Sequence, residues 1–438
     1  MELADLFRAL APHGPPPIAV RKLFAAVHAH GAETLEDLRA TEQVPRAVRD
    51  AVLAQAELPS LTIVERRRAD DGFVKYLFES PLGGRVEAVR IPLFDTKYVV
   101  CVSSQVGCAL ACDFCATGRM GFRRNLLTWE ILEQVRLIRT EADRRLSGVV
   151  FMGMGEPLLN PTEVLRAARV LAHPAGYAIS GKAITLSTAG WVPAIDRYVR
   201  EGHPYRLAFS VTSAIPEKRA RLMPVERTHP LPELVRAIAD YARARRERAM
   251  VAYVCIRGLN MGREDAEALR DAFAGVPIKL DLIEVTDPTG RYQPPDADEL
   301  ATFRDQLQIL GAPVVRRYSG GKDIGAACGT LEASSYGGTL IPPPALSPGP
   351  SFLHFQLSRA GGRVRRPTQP FAVGLSRPRV HRCRSNASPC VPRPSQGIPV
   401  PIPISGRPAP ALDRSPNARP RQSRARHRGS PSTRPPSR

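Results

Sequence analysis

Apolar residues recur at two different periods along this chain, and the change of period divides it. Up to about residue 75 they fall at helical spacing, Val20, Leu23, Phe24 and Val27 and then Leu35, Leu38, Val44 and Val48, with Gly31 and Pro45 as breaks. This pattern predicts a small helical unit over residues 1–75. From Phe78 to Glu332, short runs rich in β-branched and aromatic residues alternate with amphipathic stretches, the runs lying at 98–103, 148–153, 183–187, 206–211, 250–255 and 277–284. Six strands, each followed by a helix, predict a parallel α/β sheet or barrel over 76–335. From Ile341 to Arg438 neither period survives, and this stretch holds 21 of the 43 prolines. Such a segment buries too little apolar surface to offset its ordering entropy, so disorder is expected over 341–438.

Composition changes the picture mainly by removing a false lead. A chain of 438 residues, 43% of them hydrophobic, has material for two or three domains. Its net charge of +20 suggests a nucleic-acid binder, but 18 of the 62 Lys and Arg fall after residue 340 against one acid, Asp413. That leaves 44 basic and 41 acidic residues in the body, a balance of +3. A nucleic-acid surface there must be a local patch, for which Arg119, Arg123 and Arg124 are the best candidates. A dispensable extension, or a shifted reading frame in a GC-rich gene, explains the Arg, Pro, Ser and Ala of the tail more simply than an RNA-binding tail does.

The start Met1-Glu2-Leu3-Ala4-Asp5 has no secretory pattern, and no apolar run approaches the roughly 18 residues of a membrane helix. A soluble, cytoplasmic protein is expected. Its eight cysteines then read as metal-binding or catalytic before they read as disulfides. Three of them, Cys108, Cys112 and Cys115, form a C-x3-C-x2-C triplet after the first strand. Thiolates select iron-sulfur clusters and zinc, and no fourth Cys or His stands within the next fifty residues. A cluster held by three thiolates leaves one iron open to a small molecule, the arrangement of radical S-adenosylmethionine (SAM) enzymes.

Other candidates lie at the ends of the predicted strands, where parallel α/β proteins bind ligands. Gly153-Met154-Gly155-Glu156-Pro157 ends the second strand: glycines there let a backbone approach a ligand, and Glu156 could accept from an amino group. Ser187 ends the third strand and Ser210-Val211-Thr212 the fourth, offering polar groups to a ribose or carboxylate. Cys255 reads as a buried inert thiol, and Cys383 and Cys390 in the tail as incidental. Cys328 differs, since Gly325-Ala326-Ala327-Cys328-Gly329 reads as a flexible loop from which a thiol can reach a substrate.

The run Cys101-Val102-Ser103-Ser104-Gln105-Val106-Gly107-Cys108, continued through Phe114-Cys115-Ala116-Thr117-Gly118, together with the Gly153–Pro157 motif and Ala326-Ala327-Cys328-Gly329, resembles the RlmN/Cfr family of radical SAM RNA methyltransferases over roughly residues 15–335. The resemblance implies an α/β fold, a radical SAM partial (β/α)6 barrel with a small N-terminal helical RNA-binding domain. It implies a [4Fe-4S] cluster on Cys108, Cys112 and Cys115, with SAM contacted by Gly155, Glu156, Ser187, Ser210, Val211, Thr212 and Thr286. In this scheme Cys328 carries the methyl group as S-methylcysteine, Cys101 is the thiol that resolves the protein–RNA adduct through a disulfide, and Glu87 accepts the proton. The implied partners are ribosomal or transfer RNA and a reductant such as flavodoxin or ferredoxin, with a monomeric state.

Two positions depart from the family pattern. Thr212 stands where a Ser-Leu-His run is common, and Thr286 where an Asn is common after the sixth strand. Methylation at C2 of adenine is the expected activity, with C8 methylation or a non-catalytic RNA-binding relative as alternatives. Only the methyl-carrying mechanism gives both Cys101 and Cys328 a use.

Overall fold

A computed structural model describes residues 2–332. The tail at 341–438, including Cys383 and Cys390 and the disorder expected for it, lies outside the described residues. Helices at Leu3–Leu10, Pro17–His28, Leu35–Arg39 and Arg46–Gln55 form the N-terminal unit. Its apolar stripe, Val20, Leu23, Phe24, Leu38, Val44 and Val48, is buried in the main core.

The helical pattern stops at Gln55, short of the expected residue 75. Beyond it, β1 (Thr62–Arg68), β2 (Val74–Glu79) and β3 (Arg85–Leu93) form an antiparallel meander. The sequence hides this meander because β1 reads Thr-Ile-Val-Glu-Arg-Arg-Arg, an almost wholly exposed edge strand without apolar alternation. Its charges suit an edge that must not recruit another chain. Pairing with β2, which is buried along nearly its whole length, holds it in place.

β4 (Lys97–Cys101) pairs antiparallel with β3 on one side and opens the parallel set on the other. A separate two-stranded ribbon, β5 (Gln105–Gly107) and β6 (Phe122–Asn125), follows it. Then come β7 (Arg145–Phe151), β8 (Ile184–Thr188), β9 (Arg206–Ser210), β10 (Ala249–Cys255), β11 (Ile278–Glu284) and the short β12 (Val314–Arg316). The ten-stranded sheet runs β1-β2-β3-β4-β7-β8-β9-β10-β11-β12, with every neighbour from β4 onward parallel. β4 and β7 to β11 are the six predicted strands. The two ends of the sheet do not pair, so the barrel is partial.

Helices such as Thr128–Thr140, Pro161–Ala172 and Leu231–Arg245 return the chain between strands and cover the sheet. Strands covered on both faces read as continuous apolar runs, as in Ala249-Met250-Val251-Ala252-Tyr253-Val254-Cys255. The shared direction of these strands gathers their C-terminal ends on one rim.

Candidate active site

The three cysteines do not follow β4 directly, because ribbon β5–β6 intervenes and presents them from its end. Gly107 has φ +77, and a Cβ there would lie 1.9 Å from the Gly121 carbonyl oxygen, so only glycine permits this crossing. Cys108 N–H donates to Gly121 O (2.9 Å), Asp113 N–H to Leu222 O (2.9 Å) and Cys115 N–H to Cys112 O (3.1 Å). Between the thiols, Ala111 is held at φ +50, a left-handed conformation that costs a residue with a Cβ.

Each sulfur keeps some solvent contact, yet burial raises all three thiol pKa values, that of Cys108 to about 12. The neighbouring thiolates and Glu156 add to the rise at Cys108 and Cys112, while the Arg219 cation opposes it at Cys112. Three thiols that disfavour each other's ionisation, enclosed by protein, constitute a donor set whose charge a metal centre would neutralise. Among the described residues no three His, Cys, Asp or Glu converge tightly enough for a single metal ion. A cluster, whose irons occupy separate corners, requires thiolates further apart, and the donor set fits it.

The strand-end residues divide into two kinds. Gly153 and Gly155 serve packing: a Cβ at Gly153 would meet Val102 O at 2.7 Å, and one at Gly155 (φ +97) would meet Gln105 Cβ at 2.5 Å. The Glu156 carboxylate is buried and accepts from the backbone N–H of Leu158 (3.0 Å) and Ala189 (2.8 Å), tying the ends of β7 and β8 together. Burial raises its pKa to about 7 despite those donors. Ser187 and Ser210 are part-exposed on β8 and β9. Val211 is buried, and its carbonyl accepts from Arg219.

Thr212 and Thr286 stand apart. The hydroxyls of both are buried and lack any hydrogen-bond partner among the described residues, and Thr212 also sits at φ +58. A buried hydroxyl without a partner is costly, and a strained residue past a strand end marks a place where a ligand completes the structure. Both departures from the family pattern are thus among the positions with a buried polar group left to satisfy, which fits a ligand such as SAM.

The second pair of thiols lies nearby. Cys101 is the last residue of β4 and is buried, whereas Cys328 is exposed on the loop after β12. They are close enough for the Cys328 charge to raise the Cys101 pKa, which burial already drives to about 12. The Cys328 loop is anchored, contrary to the flexible loop read from its glycines. Asp71, between β1 and β2, accepts from Tyr318 Oη and Gly321 N–H, both at 2.8 Å. Cys328 N–H donates to Ser319 Oγ (3.1 Å), Ala116 N–H to Gly329 O (2.8 Å) and Thr117 Oγ1 to Leu331 O (2.5 Å). One side of the loop is thus tied to the meander and the other to the helical turn that follows Cys115.

Glu87 on β3 is buried and paired with Lys75 of β2, Nζ to Oε1 3.1 Å. Burial lifts its pKa to about 7, while Lys75 and the Glu332 N–H pull it down. A carboxyl poised there suits proton transfer near neutral pH.

The arginines of the candidate basic patch are engaged within the protein. Arg119 binds Asp113 O (2.9 Å) and Asp287 (3.0 Å), and Arg124 binds Gly83 O and Glu130, so these guanidiniums brace the fold. Arg123 likewise has a partner. Sequence reading also missed Arg219, which lies fully buried in the helix Pro216–Leu222 and donates to Glu226 (2.7 Å), Ala189 O (3.1 Å) and Ser210 O (3.3 Å), joining the ends of β8 and β9. In Pro-Glu-Lys-Arg-Ala-Arg-Leu it reads as one more surface cation. Asp113 went unnoticed between two cysteines, yet Arg291 (2.6 Å) and Tyr292 Oη (2.5 Å) latch it.

A partial barrel with three thiols at its C-terminal rim defines the radical SAM class, and residues 102–272 match the Radical SAM superfamily model. A "Probable RNA methyltransferase" of Myxococcus xanthus is 70% identical over 348 residues, covering 80% of this chain and 97% of the relative. The "Dual-specificity RNA methyltransferase RlmN" of Syntrophobacter fumaroxidans is 40% identical over 316 residues, covering 72% and 91%. The crystal structure of a radical SAM methyltransferase from Sphaerobacter thermophilus superposes with a TM-score of 0.70 at 35% identity, covering 76% of this chain and 98% of that one. The chain belongs to the RlmN/Cfr family of radical SAM RNA methyltransferases. No helix among the described residues is long and apolar enough to cross a membrane.

Proposed function

We propose that this enzyme methylates C2 of an adenine in ribosomal or transfer RNA through an S-methylcysteine at Cys328. The observation that carries the reading is the placement of two further thiols at the same rim, Cys101 at the end of β4 and Cys328 on the loop tied to the meander and to the turn after Cys115, near enough for the Cys328 charge to act on Cys101. Neither belongs to the triplet, and a radical SAM enzyme that works without a protein-bound methyl group has no use for them.

Cys108, Cys112 and Cys115 would hold a [4Fe-4S] cluster, and Thr212 and Thr286 offer their unsatisfied hydroxyls to SAM beside Gly155, Glu156, Ser187, Ser210 and Val211. With both groups bound, the site would supply a 5′-deoxyadenosyl radical able to abstract hydrogen from an S-methyl group. Cys328, exposed on an anchored loop, carries the methyl group to the RNA base. Glu87 accepts the proton that leaves the adduct. One electron leaves the adduct for the redox partner that serves the enzyme. Cys101 then attacks the Cys328 sulfur, an S–S bond replaces the S–C bond, the methylene carbon keeps that bonding pair and takes a proton from solvent, and the methylated base is freed. Burial keeps Cys101 a neutral thiol until that step. The reductant would be a flavodoxin or ferredoxin, and the helical N-terminal unit an RNA-binding domain in a monomer.

The test is incubation of cluster-loaded protein with methyl-labelled SAM, followed by digestion. Label on Cys328 is expected, and its absence sinks the mechanism. Mapping modified adenines in ribosomal and transfer RNA from a deletion strain then identifies the base, loss of 2-methyladenine being expected and loss of 8-methyladenine refuting C2.

A further inference from the structure

Lys75 is an unusual place for a cation. It lies inside β2 with its side chain 10% exposed, facing a Glu87 side chain that is 5% exposed. Strand register explains the meeting: Lys75 pairs with Val89 and Leu77 with Glu87, so Lys75 and Glu87 are diagonal neighbours on one face. Glu87 Oε1 takes the Lys75 ammonium at 3.1 Å, while the buried Oε2 makes no hydrogen bond of good geometry among the described residues, the Glu332 N–H lying near enough only to help hold the carboxyl's charge. The Glu87 backbone is fixed as well, its N–H donating to Met154 Sδ (3.4 Å) and its carbonyl accepting from Ser103 Oγ (2.5 Å). Across the gap, a Cβ on Gly325 would sit 3.3 Å from Lys75 Nζ, so the loop bearing Cys328 passes directly over the ammonium. One lysine therefore touches both the carboxyl proposed as base and the loop proposed to carry the methyl group.

We propose that Lys75 is a positioning residue for Glu87: by binding Oε1 it leaves Oε2 as the proton acceptor and keeps the carboxyl ionised until the RNA adduct forms. This rests on the reading of Glu87 as the base. In the step served, the proton leaves the substituted ring carbon, its bonding pair stays in the purine, and the proton ends on Oε2.

The charged groups around the carboxyl are Lys75 from β2, Arg67 from β1 and Glu332 from the segment after the Cys328 loop. Burial pushes Glu87 up to about 7, and Lys75 is the largest influence holding it down. An ionised base is available only above its pKa. Removal of the ammonium raises that pKa, so the acid limb of the reaction moves toward higher pH. Each unit of rise lowers the ionised fraction about tenfold below the midpoint.

The direct experiment titrates Glu87 by isotope-edited infrared difference spectroscopy of protein carrying 13C-labelled glutamate, with Glu87→Gln as the subtraction. The wild-type midpoint is expected near 7. Lys75→Met and the gentler Lys75→Gln should raise it by about one unit or more, while Lys75→Arg should keep it near wild type. The same variants are then followed through breakdown of the protein–RNA adduct against pH, where the acid limb should move with the infrared midpoint and Lys75→Arg should restore it. An unmoved midpoint in folded Lys75→Met or Lys75→Gln overturns the role of Lys75. If Glu87→Gln leaves adduct breakdown unchanged, Glu87 is not the base, whatever the infrared midpoint does.

Discussion

Cys101 and Cys328 are the same functional group in two unlike settings. Cys101 closes a central strand, is buried, and has its pKa driven to about 12. Cys328 is exposed on a loop that two separate anchors hold at the rim. In the mechanism proposed above, the difference divides the labour: the thiol that would meet a bulky substrate lies on the surface, and the thiol that would act only once the adduct exists is kept neutral inside. Cys108, Cys112 and Cys115 form a third setting, enclosed like Cys101 but near enough for the charges of Cys108 and Cys115 to raise the Cys112 pKa.

Four measurements would break or sharpen this comparison. The largest effect is expected from Cys328→Ala and Cys101→Ala, each lowering product formation on the order of a thousandfold or more, since neither covalent step has a substitute. They should differ in what accumulates: Cys101→Ala leaves a protein–RNA adduct on a denaturing gel and Cys328→Ala leaves none. Identical behaviour of the two variants would remove the division of labour.

Next comes cluster removal. Stripping iron with a chelator should abolish methylation and expose Cys108, Cys112 and Cys115 to alkylation, with Cys101 still protected. If the three remain unreactive once iron is gone, they are not the ligands.

Smaller is the alkylation contrast in the metal-free protein at pH 8, where exposed Cys328 should react with iodoacetamide roughly a hundredfold faster than Cys101, which burial both hides and keeps as a neutral thiol. Mass spectrometry of peptides over time reads both rates, and comparable rates would contradict the placement of Cys101.

The smallest effect is expected from Asp71→Ala, which loses two hydrogen bonds to the Cys328 loop, each contributing about 1 kcal/mol. Amide exchange at residues 318–328 should quicken several-fold with the rest of the barrel unchanged. Unaltered exchange there would mean that Asp71 does not anchor the loop.

The alternation of apolar runs and amphipathic stretches revealed the parallel strands because buried parallel strands are continuously apolar. The meander escaped detection because the charge of β1 reflects its position at the sheet edge, a property of the assembled sheet. Among the site residues, the cysteines stood out by type and spacing. Lys75, Asp71 and Arg219 did not, since each looks like a surface polar residue until packing encloses it or gives it a partner. Arg119 and Arg124 stand out in the sequence only as neighbouring cations, and it took the fold to show that they also bind Asp287 and Glu130.

By itself, then, the sequence determined the chemistry this chain carries: three thiols at cluster spacing, two more with a separate purpose, and a parallel α/β frame to hold them. Those are properties of residue type, order and period, which survive without coordinates. Only the tertiary structure decided which groups meet and in what state. Register brought Lys75 against Glu87, burial set Cys101 apart from Cys328, and the strand ends left the hydroxyls of Thr212 and Thr286 without partners among the described residues. Proximity and desolvation are set by residues distant in the chain, and no local pattern encodes them.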